Sequence, residues 1–400
     1  MKINLAVLFG GNSVEHEISV ISAIQAINYI DKTKYSIFAV YITKDNEMYH
    51  GDALLDISSF KDISGMLKKC NRVYFYTNAG RTYLAIVPQK SFKKQLSIPI
   101  DIAFPIVHGT NVEDGTMQGF LKLQNLPFVG CDTLSSAICM DKYYSKILLA
   151  SEGFPVLEAI SFTQKEFVNP QTIIEKTEQK FLYPVIVKPA NSGSSIGISK
   201  ASNSAGLRNS LDLAFRFCNR IIIEPAIVNM REINCSVLGD SDEAIASVCE
   251  EPVAQDEILS YSDKYINSGK SKNGGKLNGK TKTGSVPAKR VIPADLQNEI
   301  SEKIREIAVE AFKFLDCSGV SRIDFIIDND SGKIWLNELN TIPGSLAFYL
   351  WEPTGIQYSE LLERLIDLAW RKQRKYEELL FSFETNILKE ANFSIGAQKL

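Results

Sequence analysis

Hydrophobic residues gather in short, nearly continuous runs set off by glycine-rich or polar turns, and between them lie longer segments with apolar residues three or four apart. The first kind marks buried strands and the second marks helices lying on a sheet. Residues 3–9 form such a strand, Gly10-Gly11 a turn, and residues 20–30 a helix, which together open a doubly wound parallel sheet of the α/β class. Residues 35–41 and 101–107 read as further strands. A helix follows at 117–126, then a short strand at 127–130 leading into a helical segment over 135–153. Residues 183–198 read as a strand, a small loop and a second strand; 220–224 and 233–238 are strands; 296–314 and 359–375 are amphipathic helices. Between 42 and 100 the chain reads as mixed, hydrophilic loops.

Residues 322–327 and 333–339 are rich in Ile, Phe, Trp and Leu. Between them, Asp328-Asn329-Asp330-Ser331-Gly332 supplies the residues that reverse a chain, so a β-hairpin is expected. Period-two alternation puts Arg322 and Asp324 on one face of the first strand, and Glu338 and Asn340 on one face of the second. Two carboxylates, an amide oxygen and a guanidinium then converge. Hard oxygen ligands of this kind suit magnesium, which bridges carboxylates to substrate phosphates, with ATP the obvious phosphate donor. An ordinary hairpin with its charges in solvent is the plain alternative. Pro343-Gly344 favours the functional reading, because it forces a tight turn where a glycine N–H can approach a substrate oxygen.

Composition changes this picture little. With 45% hydrophobic and 23% charged residues and a net charge of −3, the chain reads as a globular protein. Its length suggests roughly two to three domains. Its charge does not ask for nucleic acid, no apolar run reaches transmembrane length, and the apolar start lacks the features of a signal peptide. A cytoplasmic protein with no nucleic-acid or membrane partner is therefore expected. The seven cysteines include no CxxC pair, so neither a zinc site nor a disulfide framework is expected.

Other candidates stand where chemistry is plausible in such folds. Glu15, in Glu15-His16-Glu17-Ile18-Ser19 after the first glycine turn, is expected to point into a site. His108 ends a strand, the place where ligands bind in these sheets, although a satisfied structural histidine reads equally well. Lys142 and Lys146 lie one turn apart on a helix, where lysines usually only solubilise. Lys188 sits on a strand before Gly193-Ser194-Ser195, a loop whose backbone N–H groups can fold over phosphates. That stretch matches neither the P-loop nor the dinucleotide fingerprint. The strand ending at Glu224 and its neighbour can serve an adenine edge, and Glu232 ribose hydroxyls. Residues 266–289, dense in Gly, Lys, Asn, Ser and Thr, read as a mobile loop.

Six blocks in unbroken order, from residue 3 to about residue 370, carry a family resemblance. They are Phe9-Gly10-Gly11 through Ser19, His108-Gly109 with Glu113-Asp114-Gly115-Thr116, Met140-Asp141-Lys142, Val187-Lys188-Pro189 with Gly193-Ser194-Ser195, Arg231-Glu232, and Arg322-Ile323-Asp324 with Asn337-Glu338-Leu339-Asn340-Thr341. Together they resemble the D-alanine–D-alanine ligases of the ATP-grasp superfamily. The resemblance implies an N-terminal α/β domain (1–135), a central ATP-grasp domain (136–228), a C-terminal ATP-grasp domain (229–372) with a mobile loop at 257–290, and an extension (373–400). ATP would lie between the central and C-terminal domains. Lys142, Lys188 and Ser195 would contact its phosphates, Glu224 and Glu232 its adenine and ribose, and Asp324, Glu338 and Asn340 two Mg2+ or Mn2+ ions. Arg322 and the Gly344 N–H would hold an oxyanion. Glu15 would bind the donor's ammonium in a hydrogen-bonded set with Ser194 and Tyr265, and His108, Lys264, Ser345 and Leu346 would touch substrate. The implied reaction joins two D-alanines through a D-alanyl phosphate, for peptidoglycan synthesis, in a homodimer.

This chain departs from the family's pattern in three places. Ser345-Leu346 follows Gly344 at once, where the family carries a longer stretch before the Ser-Leu pair that holds the acceptor's carboxylate. D-Serine or D-lactate is thereby kept as an alternative acceptor. The Gly/Lys/Asn run after Lys264-Tyr265 is unusually long, and residues 371–400 lie beyond the family's usual end. A nucleotide-binding paralogue without ligase activity is the rival of another class, opposed by the joint presence of metal, phosphate and oxyanion residues.

Overall fold

The computed structural model describes residues 2–87, 96–253 and 290–381. Three sheets organise it. The first contains β1 (Ile3–Gly10), β2 (Tyr35–Ile42), β3 (Met48–His50), β4 (Asn71–Asn78), β5 (Arg81–Ile86), β6 (Ser97–Pro99) and β7 (Ile102–Ile106), in the order β6-β5-β4-β3-β2-β1-β7. β1 lies parallel to β2 and β7, and its Leu5, Ala6, Val7, Leu8 and Phe9 are wholly buried, the two-sided burial that a continuous apolar run requires. The helix His16–Tyr29 follows its glycine turn and packs on it.

Strands β3 to β6 extend this sheet in antiparallel fashion, where the sequence reading expected only loops. One pair did carry a readable pattern. Val73 and Phe75 are buried while Tyr74 is exposed, and the chain reverses at Ala79 (φ 50°) and Gly80 (φ 75°), a hairpin turn of the left-handed kind. Two further expectations are corrected. Residues 127–130 make a single bridge, Ala103 to Phe128, rather than a strand. The segment over 135–153 is two helices, Thr133–Met140 and Lys142–Ser151, because Asp141 leaves helical geometry and its carboxylate accepts the N–H groups of Tyr143 and Tyr144.

The second sheet contains β8 (Ile160–Thr163), β9 (Val185–Pro189), β10 (Ser199–Ala201) and β11 (Arg220–Pro225), in the order β10-β9-β11-β8. The third contains β12 (Met230–Gly239), β13 (Ala244–Pro252), β14 (Arg290–Val291), β15 (Gly319–Asp328) and β16 (Ile334–Asn340), in the order β14-β13-β12-β15-β16. The helix Asn298–Phe314 covers its β12–β13 side. The helix Tyr358–Glu377 instead places Leu361, Leu362, Leu365 and Ile366 in the same apolar cluster as β1. Leu346, from the segment after β16, enters that cluster too. Chain from both ends thus shares one core, which fixes the first sheet against the third.

The expected hairpin is β15–β16, with Arg322 opposite Asn340 and Asp324 opposite Glu338. It contains a bulge that alternation alone does not give. Asp324 pairs with Glu338 but Phe325 with Leu336, leaving Asn337 as the extra residue. Ile334, Leu336 and Leu339 therefore all face the core, while Asn337, Glu338 and Asn340 are partly exposed on the other side. Without the bulge, strict period two would have put Glu338 on the face of Leu336.

Among the described residues no helix is long and apolar enough to cross a membrane. Lys264 and Tyr265, the 257–289 part of the expected loop and residues 382–400 lie outside the described residues.

Candidate active site

Two adjoining cavities open between the sheets. The larger, about 580 Å³, is lined by Ile186, Lys188 and Lys200 from the second sheet and by Met230, Phe325 and Ile326 from the third. Its size and mixed lining suit a cofactor-sized ligand. The smaller, about 120 Å³, is lined by Glu15, His108, Arg290, Arg322, Asn340 and Gly344. Lys142, Ser194, Asp324 and Glu338 line both. The common wall is therefore basic and acidic, the chemistry that a phosphoryl group passing between the cavities would meet.

The basic part is built on helix Lys142–Ser151 and strand β9. Lys142 Nζ donates to Ser192 O at 2.8 Å and lies 3.1 Å from Glu338 Oε2. Burial opposes its charge, but the Glu338 carboxylate prevails and its pKa is raised. Lys188 pairs with Glu224 and donates to Asn337 Oδ1 at 3.1 Å. Lys146, one turn beyond Lys142, reaches Glu224 at 3.1 Å. Glu224 is thus a buried carboxylate between two lysines. Burial alone would raise its pKa, yet Lys146 and Lys188 bring it down to about 2. Burial, helped by the neighbouring Lys188 charge, also lowers Lys146. Two cations around one anion leave a net positive cluster, which suits a polyanion beside it.

The acidic part is the hairpin. Arg322 donates to Asp324 through Nε and Nη2, both at 2.7 Å, and Asn340 Nδ2 donates to Asp324 Oδ2 at 3.1 Å. Asp324, Glu338 and Asn340 offer two carboxylates and an amide oxygen on one face. Among the described residues no three His, Cys, Asp or Glu side chains group to hold a metal by themselves. A hard divalent ion that takes the rest of its shell from phosphate oxygens and water fits such a set. The charges agree: among the described residues six acids line the smaller cavity (Glu15, Glu113, Glu232, Glu250, Asp324, Glu338) against the three basic side chains Lys142, Arg290 and Arg322. Even with Glu113 pushed up to about 8 by burial, and so neutral near pH 7, acid remains in excess.

The N-terminal sheet closes the smaller cavity. Ser194, on the loop after β9 (φ 52°), donates to Glu15 Oε1. Gly193 beside it has no room for a Cβ, which would collide with the Glu15 carboxylate. His108 Nδ1 lies 2.7 Å from Ile342 O, so it carries the proton, and Nε2 accepts from Ser22 Oγ at 3.1 Å. Burial lowers the His108 pKa, keeping the ring neutral. Ser22 Oγ also accepts the Ser345 N–H at 2.9 Å. Glu113 accepts the N–H groups of Gly109 and Ile342, at 2.9 and 2.8 Å, and the Thr341 hydroxyl at 3.2 Å. These bonds fix the Thr341–Gly344 turn against the N-terminal sheet.

Of the residues singled out in the sequence, Glu15, His108, Lys142, Ser194, Glu232, Arg322, Asp324, Glu338, Asn340 and Gly344 line the smaller cavity. Lys188, Ser195 and Glu224 line the larger. Both ring nitrogens of His108 are engaged by protein groups. Leu346 is 2% exposed within the N-terminal core and Ser345 bonds to Ser22, so neither lines either cavity. Lys146, Asn337 and Glu113 were not singled out as site residues. Lys146 was marked by its spacing from Lys142, and Asn337 by the three-residue step from Leu336 to Leu339. No local pattern marks Thr341 and Ile342, the partners of Glu113 that lie more than two hundred residues away.

A family model described as D-ala D-ala ligase N-terminus matches residues 4–131, and one described as D-ala D-ala ligase C-terminus matches residues 148–367. The D-alanine--D-alanine ligase of Acetivibrio thermocellus is 39% identical over 393 residues, covering 94% of this chain and 99% of that one. Among solved structures, the D-alanine-D-alanine ligase from Coxiella burnetii aligns with a TM-score of 0.76 at 28% identity, over 94% of this chain and 96% of that one. The VanG D-Ala:D-Ser ligase from Enterococcus faecalis aligns with a TM-score of 0.73 at 32% identity, over 92% of this chain and all (100%) of that one. Matched along nearly its whole length, and holding its lysines, acids and arginine around two joined cavities, the chain belongs to the D-alanine–D-alanine ligase family.

Proposed function

We propose that this chain joins two D-alanines into D-alanyl-D-alanine, with cleavage of ATP to ADP and phosphate, for peptidoglycan precursor synthesis. The observation that carries this reading is the common wall of the two cavities. A nucleotide in the larger can present its terminal phosphate at Lys142, Asp324 and Glu338 to a carboxylate in the smaller. The donor's carboxylate oxygen attacks the terminal phosphorus, ADP leaves, and a D-alanyl phosphate results. The acceptor's amine then attacks the acyl carbon and phosphate departs. Lys142 and Lys188 neutralise charge on the moving phosphoryl group, while Arg322 and the Gly344 N–H receive the oxyanion. Asp324, Glu338 and Asn340 would hold two divalent ions, Mg2+ or Mn2+, whose charge would offset that of the phosphate oxygens.

Glu15 binds the donor's ammonium, and Ser194 joins it to the loop over the phosphates, with Tyr265 completing that set and Lys264 beside the acceptor. Ser195 contacts the phosphates, and Glu232 the ribose. Glu224 acts on the nucleotide through the lysines that it positions. His108 holds the Gly344 turn rather than meeting substrate directly. We further propose the domain division 1–135, 136–228 and 229–372, a cytoplasmic homodimer, and a role in cell shape through the wall. A D-serine acceptor is the second reading, supported by the likeness to the VanG D-Ala:D-Ser ligase. The test is dependence on substrate: ADP and phosphate are expected only when a D-amino acid is supplied. ATP turnover indifferent to D-alanine would contradict the reading.

A further inference from the structure

The pair that the resemblance assigns to the acceptor's carboxylate, Ser345 and Leu346, does not face the cavity. Ser345, Leu346 and Ala347 take left-handed conformations (φ 50°, 54° and 51°) that bury Leu346 in the N-terminal core and turn the chain into the short helix Phe348–Trp351. That helix brings Tyr349 to the end of the site. Its hydroxyl donates to Glu250 Oε1 at 3.2 Å, and its ring carries the Arg290 guanidinium 4.1 Å from the centroid. Arg290 and Arg322 both line the smaller cavity.

Resting on the ligase reading above, we propose that Arg290, stacked on Tyr349 and backed by Glu250, holds the carboxylate of the acceptor amino acid. Of the three basic side chains that line the smaller cavity among the described residues, Arg322 is engaged by Asp324 in both arms, and Lys142 by Glu338 and the Ser192 carbonyl. Arg290 meets its anion more loosely, with Nη1 3.4 Å from Glu250 Oε2, an ion-pair contact too long for a good hydrogen bond. Glu250 is 1% exposed and fixed through its other oxygen by Asn234 Nδ2 at 3.0 Å and by Tyr349. Among the described residues Oε2 receives no hydrogen bond. The carboxylate thus positions the guanidinium by charge, and the tyrosine ring fixes its plane. A guanidinium so oriented presents a planar fork that matches a carboxylate. Its place in the cavity that also holds Arg322 and Gly344 suits an acceptor whose amine attacks at the oxyanion site while its carboxylate is held at a separate guanidinium.

The experiment compares wild type, Arg290→Gln and Arg290→Lys with D-alanine and D-alaninamide as acceptors. It also measures positional isotope exchange in ATP at D-alanine concentrations that fill only the donor site. Arg290→Gln is expected to raise the acceptor KM at least tenfold and to shrink the preference for D-alanine over D-alaninamide to within about threefold, since a charge-assisted contact is lost. Arg290→Lys is expected to fall between the two, because it keeps charge but not the fork. Isotope exchange, which reports formation of the acyl phosphate, is expected to be unchanged in both. An acceptor KM within twofold of wild type in Arg290→Gln would overturn the assignment, as would a loss of isotope exchange in parallel with the rise in KM. Absence of dipeptide from the wild-type protein would overturn the ligase reading itself, and this assignment with it.

Discussion

In sequence Glu224 is the end of a strand beside the expected nucleotide, a position that does not disclose its physical task. It is 1% exposed between Lys146 and Lys188, so replacing it by glutamine leaves two buried lysines without their counter-charge. Glu224→Gln should destabilise the fold by roughly 3–5 kcal/mol, read as a lower midpoint in urea. The pH dependence has a definite sign. The folded pKa of about 2 lies below the ordinary 4.5, so the stabilisation is fully present above pH 4.5 and is lost as pH falls from there towards 2. Glu224→Gln should lack that part of the acid unfolding slope; an unchanged slope would show that the carboxylate is not held down by the lysines. Glu338→Gln tests the opposite property. Glu338 is only partly buried and faces the common wall, so the variant should stay folded while dipeptide formation is abolished, even at saturating magnesium. Near-normal turnover would remove Glu338 from the metal set. Residues such as Lys188 and Asp324 were legible because they lie in compact motifs. The role of Glu113 is not legible from its motif, because it depends on Thr341 and Ile342 from the far end of the chain.

At the level of elements, the hairpin β15–β16 was legible from composition and turn chemistry, and its bulge was not drawn from the same residues. The apolar positions Leu336 and Leu339 are three apart, which a regular strand cannot place on one face. Deleting Asn337 would leave Asp324 opposite Glu338 and Phe325 opposite Leu336 in unbroken alternation. The deletion variant is therefore expected to fold, with a melting temperature within a few degrees of wild type. Its ligation rate should fall at least tenfold, because Lys188 loses its Asn337 contact and the bulge no longer aims Glu338. Wild-type activity in the deletion variant would show the bulge to be incidental. The strands between 42 and 100 are hard to read from sequence for a different reason. Two of them are three residues long, too short for period two to register, and only β4–β5 carries alternation with a turn.

Across the whole molecule, the smaller cavity exists because the N-terminal sheet and the third sheet share a core and a set of long-range hydrogen bonds. Leu346 belongs to that core, not to the substrate surface. Leu346→Ala should cost about 2–5 kcal/mol of stability, while the acceptor KM stays within about threefold at temperatures where the variant is folded. A large rise in acceptor KM with stability unchanged would return Leu346 to the substrate surface. The order of motifs disclosed the family, but sequence could not show that a left-handed turn after Gly344 redirects the expected acceptor pair. Three consecutive non-glycine residues at positive φ have no compositional mark.

The most direct measurement of the central claim offers equal D-alanine, D-serine and D-lactate with ATP and magnesium at pH 7 and identifies the products by mass. D-Alanyl-D-alanine is predicted as the main product, formed in equal amount with ADP and phosphate, and D-alanyl-D-serine as the next, since D-serine keeps the amine and carboxylate of D-alanine and adds only one hydroxyl. A depsipeptide with D-lactate as the main product, or ADP released without any ligated product, would contradict it.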